Sequence, residues 1–315
     1  MLSVLSITAP VFLIVALGYV CAARAFLNEG AQKTLSLFAL YCALPCYLFL
    51  AMAKVPRDMI VNVDYIGAFA VSMGMVAVLG GLIARRFYKR DNVSTILAMM
   101  GACYTNSSFV GIPIIVMALG QPGPIVVITL FQVLVVTTTI LTSIEIHQKH
   151  GAFSLRALRE FPRTVLLNPL VGGSLLGVLF AVFSVPVPIV LERTLRLLGD
   201  ASIPCGLFAL GLSLGAMNLR TPSSGGKGLV CSLVVLKTLV HPALAWVIGH
   251  YVFHLHDPWL NAVILVAAMP TAVNNYIFAQ RYNIFVQESS RVVFWSALVS
   301  LFTLSALLGV LGVVT

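Results

Sequence analysis

Runs of roughly twenty apolar residues recur along the whole chain, with short polar breaks between them. A hydrocarbon core about 30 Å thick needs roughly 20 such residues per helix. The pattern predicts ten membrane spans, near residues 4–23, 33–53, 64–84, 93–119, 123–146, 164–184, 197–217, 228–253, 259–282 and 289–314. No stretch remains for a soluble domain. The first run, within LSVLSITAPVFLIVALGYVCAA, has no basic residue before it and is too long for a secretory signal, so it reads as a transmembrane helix.

Two spans interrupt the pattern at mid-depth. The fourth carries CYTNSSFVGIP, with Thr105, Asn106, Ser107 and Ser108 in a row ahead of Gly111 and Pro113. The ninth carries MPTAVNNYIFAQRYN, with Pro270, Thr271, Asn274 and Asn275. These are poor helix formers, and in hydrocarbon a broken backbone is tolerated only where protein buries it or it lines a water-filled cavity. The halves also echo each other: Lys33 to Phe49 aligns with Arg193 to Phe208 through Pro45/Pro204 and Cys46/Cys205. Copies five spans apart insert with opposite orientation. The expected fold class is therefore an all-α integral membrane protein of ten transmembrane helices, arranged as two inverted five-helix repeats over residues 1–155 and 156–315, with helices four and nine broken.

Composition agrees. The 315 residues are 60% hydrophobic and 9% charged, with a mean hydropathy of +1.02, outside the range of soluble domains. The net charge of +9 comes from basic residues scattered over short loops, which argues against nucleic acid. Fourteen Lys and Arg fall on one side of the predicted membrane, in the loops holding Arg24, Arg85, Lys149, Arg220, Arg281 and Arg291; four fall on the other, Lys54, Arg57, Arg193 and Arg196. The positive-inside rule makes the richer side cytoplasmic and leaves both termini outside. The six cysteines lie mostly in apolar segments and imply no disulfide framework.

The remaining basic residue, Lys237, lies inside span eight, nine residues in and so about 13 Å deep. An ionisable group near the midplane marks a functional site unless it snorkels. With half-helix N-termini presenting N–H groups at both breaks, Thr105, Asn106, Ser107, Ser108, Pro270, Thr271, Asn274, Asn275 and Lys237 make a candidate site for an anion. Lys237 would act as counter-charge, or as stand-in for a coupling cation. His241 shares its helix face one turn on, and Asp200 begins span seven; both are candidates for proton coupling. No carboxylate is expected at mid-depth, and His250, His254 and His256 near Asp257 fit a wet interface. Neither a metal nor a cofactor is called for.

At these residues the sequence resembles the auxin efflux carrier family. ALP at Ala43 to Pro45, NSSFVGIP at Asn106 to Pro113, NPLVGGSLLG at Asn168 to Gly177, GLFALGLSL at Gly206 to Leu214, KTLVHP at Lys237 to Pro242 and MPTAVNNYIFAQRYN carry the resemblance in order along the chain. It implies a fold similar to bile acid symporters and sodium/proton antiporters. A scaffold of helices one, two, six and seven would stand beside a mobile transport unit of helices three to five and eight to ten, with elevator-type motion. Asn106 and Pro270 match the family's crossover positions. Thr105 and Asn275 stand where plant carriers have proline, which favours a small polar anion over auxin. The loop from about Gln148 to Arg163 is short beside that of the plant carriers.

The expected function is secondary transport of a small organic anion, malonate-like dicarboxylates first, across the inner membrane, with uptake preferred to export. A carrier or exporter of a monocarboxylate or auxin-like amphipathic acid is the alternative, and a receptor that moves nothing the remote one. An enzyme is set aside because Ser107, Ser108 and His241 form no GxSxG or HExxH motif. Expected partners are the anion, membrane lipid and a proton or sodium ion if transport is coupled. A homodimer stays open.

Overall fold

The computed structural model describes residues 2–27, 30–54, 62–148, 169–217 and 226–312. Helices make up nearly all of it, and the only strand-like feature among these residues is an isolated antiparallel bridge between Thr105 and Thr271. In chain order the helices are α1 (Leu2–Ala23), α2 (Ala31–Ala53), α3 (Val63–Arg86), α4 (Asn92–Cys103), α5 (Ser107–Leu119), α6 (Gly123–Ile144) and α7 (Pro169–Val182). There follow α8 (Ile189–Asp200), α9 (Ser202–Ala216), α10 (Lys227–Val252), α11 (Trp259–Ala268), α12 (Asn274–Tyr282) and α13 (Val286–Val310). Among the described residues, six stretches are long and apolar enough to cross a membrane: α2, α3, α6, α8 with α9, α10 and α13. The protein is an integral membrane protein.

The two interrupted stretches each resolve into a pair of helices, α4 and α5 for residues 93–119 and α11 and α12 for 259–282. Prolines set several other departures from regular helix. Pro45 follows a π-helical turn over Ala39–Ala43, where the Leu44 N–H donates to the Ala39 carbonyl five residues back. Pro204, its counterpart in the sequence alignment, stands in the first turn of α9, just after the break from α8. Arg193 and Arg196, expected in a loop, lie instead on α8, where Glu192 accepts from both Lys54 and Arg196 at 2.6 Å. The linker from 149 to 163 and the start of the span from 164 lie outside the described residues.

Packing separates two groups of helices. In one, α1 lies along α9, α7 and α8 lie on α2, and α9 also meets α2. In the other, α3 packs on α4 and α10, α10 on α11 and α13, and α12 on α13. Small residues allow the closest approach, α1 on α9: a Cβ at Gly211 would lie 2.1 Å from the Val15 carbonyl oxygen, and one at Gly18 2.3 Å from that of Phe208. Lipid tails are as apolar as leucine, so such contact comes from backbones brought close rather than from hydrophobic burial. The crossover sits inside the second group.

Candidate functional site

The two breaks meet. α4 ends in extended backbone at Tyr104 and α11 in extended backbone at Met269, before Pro270, which has no N–H to continue a helix. The two extended segments pair antiparallel at Thr105 and Thr271. The Asn106 N–H donates to the Pro270 carbonyl at 2.9 Å, and the Ala272 N–H to the Tyr104 carbonyl at 3.1 Å. Each break thus satisfies part of the backbone that the other exposes, as apolar surroundings require.

The helix ends facing this crossing are satisfied in turn. In an unbroken helix the Ala267 carbonyl would accept from the N–H of Thr271, four residues on, but that N–H donates to Ser296 Oγ on α13 at 3.1 Å. Lys237 Nζ takes the carbonyl instead, at 2.6 Å. Four residues before the other bridging threonine, the Gly101 carbonyl accepts from Thr271 Oγ1 at 2.8 Å. Gln132 on α6 donates through Nε2 to the Thr105 carbonyl at 3.2 Å. Each break is therefore held by one polar side chain from a helix that follows it, Gln132 for the first and Ser296 for the second.

Lys237 is fully buried in a π-helical turn over Leu236–Val240, closed by the His241 N–H on the Leu236 carbonyl just before Pro242. Its Nζ lies 3.0 Å from Thr105 Oγ1 and 3.1 Å from His241 Nδ1, in addition to Ala267. An ammonium has three N–H donors and no acceptor, and these three partners match them one to one. The other ring nitrogen of His241, Nε2, is buried without a hydrogen-bond partner. All three partners are neutral. None of the ion pairs among the described residues involves Lys237.

The half-helices that begin at the crossing supply donors. Asn106 caps α5, its Oδ1 accepting from the Phe109 N–H at 3.4 Å, while its Nδ2 is buried with no partner. Ser107 is buried in the first turn of α5 and Ser108 half-buried. In the second break Asn275 is 0% exposed, and both atoms of its amide lack partners. A Cβ at Gly101 would lie 3.1 Å from Asn275 Nδ2, so the glycine leaves room for that amide. Asn274, half-buried, reaches the Tyr104 hydroxyl, which also bonds Thr137 Oγ1 at 2.8 Å.

Of the residues singled out from the sequence, Thr105, Asn106, Ser107, Ser108, Pro270, Thr271, Asn274, Asn275, Lys237 and His241 come together here. Asp200 does not. It lies at the end of α8 in the other helix group, lining a cavity of about 160 Å³ with Tyr47, Lys54, Pro122 and Arg196. Gln132, Ser296 and Tyr104 are additions that sequence reasoning missed. Gln132, alone among apolar neighbours in LFQVLV, was within reach of the rule that flags polar residues in a span.

The fold and this crossing define a multi-pass membrane protein whose helices break in pairs at a buried polar centre. The chain belongs to the auxin efflux carrier family: the family model described as "Membrane transport protein" matches residues 3–308. It is similar to the "Putative malonate transporter" of Rhizobium meliloti, at 26% identity over 98% of this chain and 96% of that one. An "Uncharacterized transporter" of Methanothermobacter thermautotrophicus is 28% identical over 93% and 94%. "Auxin efflux carrier component 5" of Arabidopsis thaliana is 25% identical over 83% of each. The protein is a membrane transporter.

Proposed function

We propose that the protein is a secondary carrier of a small organic anion, with malonate-like dicarboxylates as substrates, working across the inner membrane with both termini outside. The observation that carries this is the buried Lys237 amine, held by three neutral partners and no carboxylate, beside amides that have no hydrogen bonds of their own. A lysine at mid-membrane costs about 2.5–3.5 kcal/mol, a cost an anion would offset. The unpartnered amides of Asn106 and Asn275 suit an acceptor-rich ligand, since a carboxylate takes several N–H donors at once.

The ammonium on the Ala267 carbonyl holds the place a coupling cation would take at the C-terminal end of a half-helix. Binding then needs no ion to complete the site, and His241 beside Lys237 is the group through which a proton would be coupled. The matched spacing of Gly101 and Ala267 from the bridging threonines supports the inverted five-helix repeats. The separation of helices into two packing groups supports elevator motion, with α3 to α6 and α10 to α13 moving against a scaffold of α1, α2 and α7 to α9.

Uptake of labelled malonate, malate, acetate and indole-3-acetate into proteoliposomes, with and without imposed pH and sodium gradients, tests this reading. Saturable malonate uptake is expected, independent of sodium. No flux of any of the four from folded protein would overturn it.

A further inference from the structure

Apart from the crossover, a lateral groove of about 590 Å³ runs between α10 and α13. Lys227, the first residue of α10, and Arg291, near the start of α13, line it at one end. The remainder is nearly all apolar. Val235, Leu239 and Trp295 form its open wall, each between 42% and 53% exposed. Thr238 lies at its floor, with its hydroxyl donating to the Val234 carbonyl at 2.9 Å rather than into the groove. A passage for a small hydrophilic anion would need polar groups along its length, and this groove has them at one end only.

Its dimensions match one leaflet. From Lys227 to Leu239 is twelve residues, about 18 Å along the helix, against about 15 Å for half of a 30 Å hydrocarbon core. In the topology proposed above, Lys227 and Arg291 face the cytoplasm, at headgroup level, and Leu239 stands near the midplane. Two cations at the interface and an apolar channel descending from them complement an anionic lipid: headgroup at the basic end, acyl chain along α10 and α13. Basic pockets between helices on the cytoplasmic side are a recurrent means of holding such lipids.

We propose that this groove is a binding site for an anionic phospholipid of the cytoplasmic leaflet. The lipid lies directly behind the transport site: Thr238 adjoins Lys237, and Trp295 adjoins Ser296, which holds the Thr271 N–H. Assigning the leaflet rests on the proposed topology. Lipid retention itself is independent of which anion is carried, so the two readings can fail separately.

The test is native mass spectrometry of the full chain, purified in detergent and exposed to equal amounts of phosphatidylglycerol and phosphatidylcholine. Three proteins are compared: wild type, the double variant Lys227→Ala/Arg291→Ala, and Leu239→Trp, which fills the apolar end and keeps both cations. Thermal melting confirms that each is folded. Wild type is expected to retain phosphatidylglycerol at least tenfold over phosphatidylcholine, and both variants to lose that preference. Equal retention of the two lipids by wild type, or an unchanged preference in the double variant, would overturn the site. Loss in the double variant with full retention in Leu239→Trp would also overturn it, because the cations would then attract headgroups without the groove.

Discussion

The Lys237 ammonium lies 2.6 Å from the carbonyl oxygen of Ala267, thirty residues on in sequence and one residue short of the end of α11. A charged side chain therefore closes the end of a broken helix in the centre of the protein, and the same nitrogen reaches Thr105 in the other break. One residue ties both interruptions together.

Replacing Lys237 by Ala removes the donor from the Ala267 carbonyl and the site's positive charge. Loss of dicarboxylate uptake is expected with little change in stability, because the unpaired carbonyl costs about 1–3 kcal/mol while removal of the buried ammonium relieves about 2.5–3.5 kcal/mol. Uptake by proteoliposomes and thermal melting measure the two effects. Wild-type rates in folded Lys237→Ala protein would remove Lys237 from the mechanism.

Asn106 and Asn275 separate binding from stability. The Asn275 amide makes no hydrogen bond in the protein, so Asn275→Ala forfeits none on folding. A melting temperature close to wild type is expected, with substrate affinity weaker by about 1–3 kcal/mol, roughly 5- to 150-fold. Asn106→Ala loses the cap on α5 as well, so its melting temperature falls with its affinity. Unchanged affinity in both variants would move the site elsewhere.

Gly211 permits the contact of α1 with α9. A side chain there meets the Val15 carbonyl, which cannot yield without shifting the helix. Gly211→Leu is expected to lower stability by about 1–3 kcal/mol through overpacking. Pro270 and its neighbours stay untouched, so substrate affinity in the folded fraction stays near wild type. The check pairs a melting curve with substrate binding.

The Arg90–Glu288 pair joins the loop before α4 to the first turn of α13 at 3.0 Å, with side chains 15% and 3% exposed. Arg90→Met takes the guanidinium away from a carboxylate that is 3% exposed and is expected to cost about 3–5 kcal/mol. Glu288→Gln keeps an acceptor for the guanidinium and costs less. The Arg90→Met variant should melt below the Glu288→Gln variant, and the reverse order would show that loss of the carboxylate's charge is the costlier change.

Reading the chain as membrane-spanning helices, with breaks at Thr105–Ser108 and Pro270–Asn275 and a cation at Lys237, required only the sequence. Transfer of a residue into hydrocarbon is a local cost, so each segment reports it independently of its neighbours. Family membership was legible for a similar reason, because motifs such as NSSFVGIP and KTLVHP stand contiguous in the chain. Partnership was not. That Thr271 caps the Gly101 carbonyl, 170 residues away, that Gln132 and Ser296 each hold one break, and that Asp200 belongs to a different helix group all depend on which helices pack together. A hydrogen bond needs its two atoms within about 3 Å of each other. That placement is set by the tertiary structure, and no local pattern of polar and apolar residues carries it.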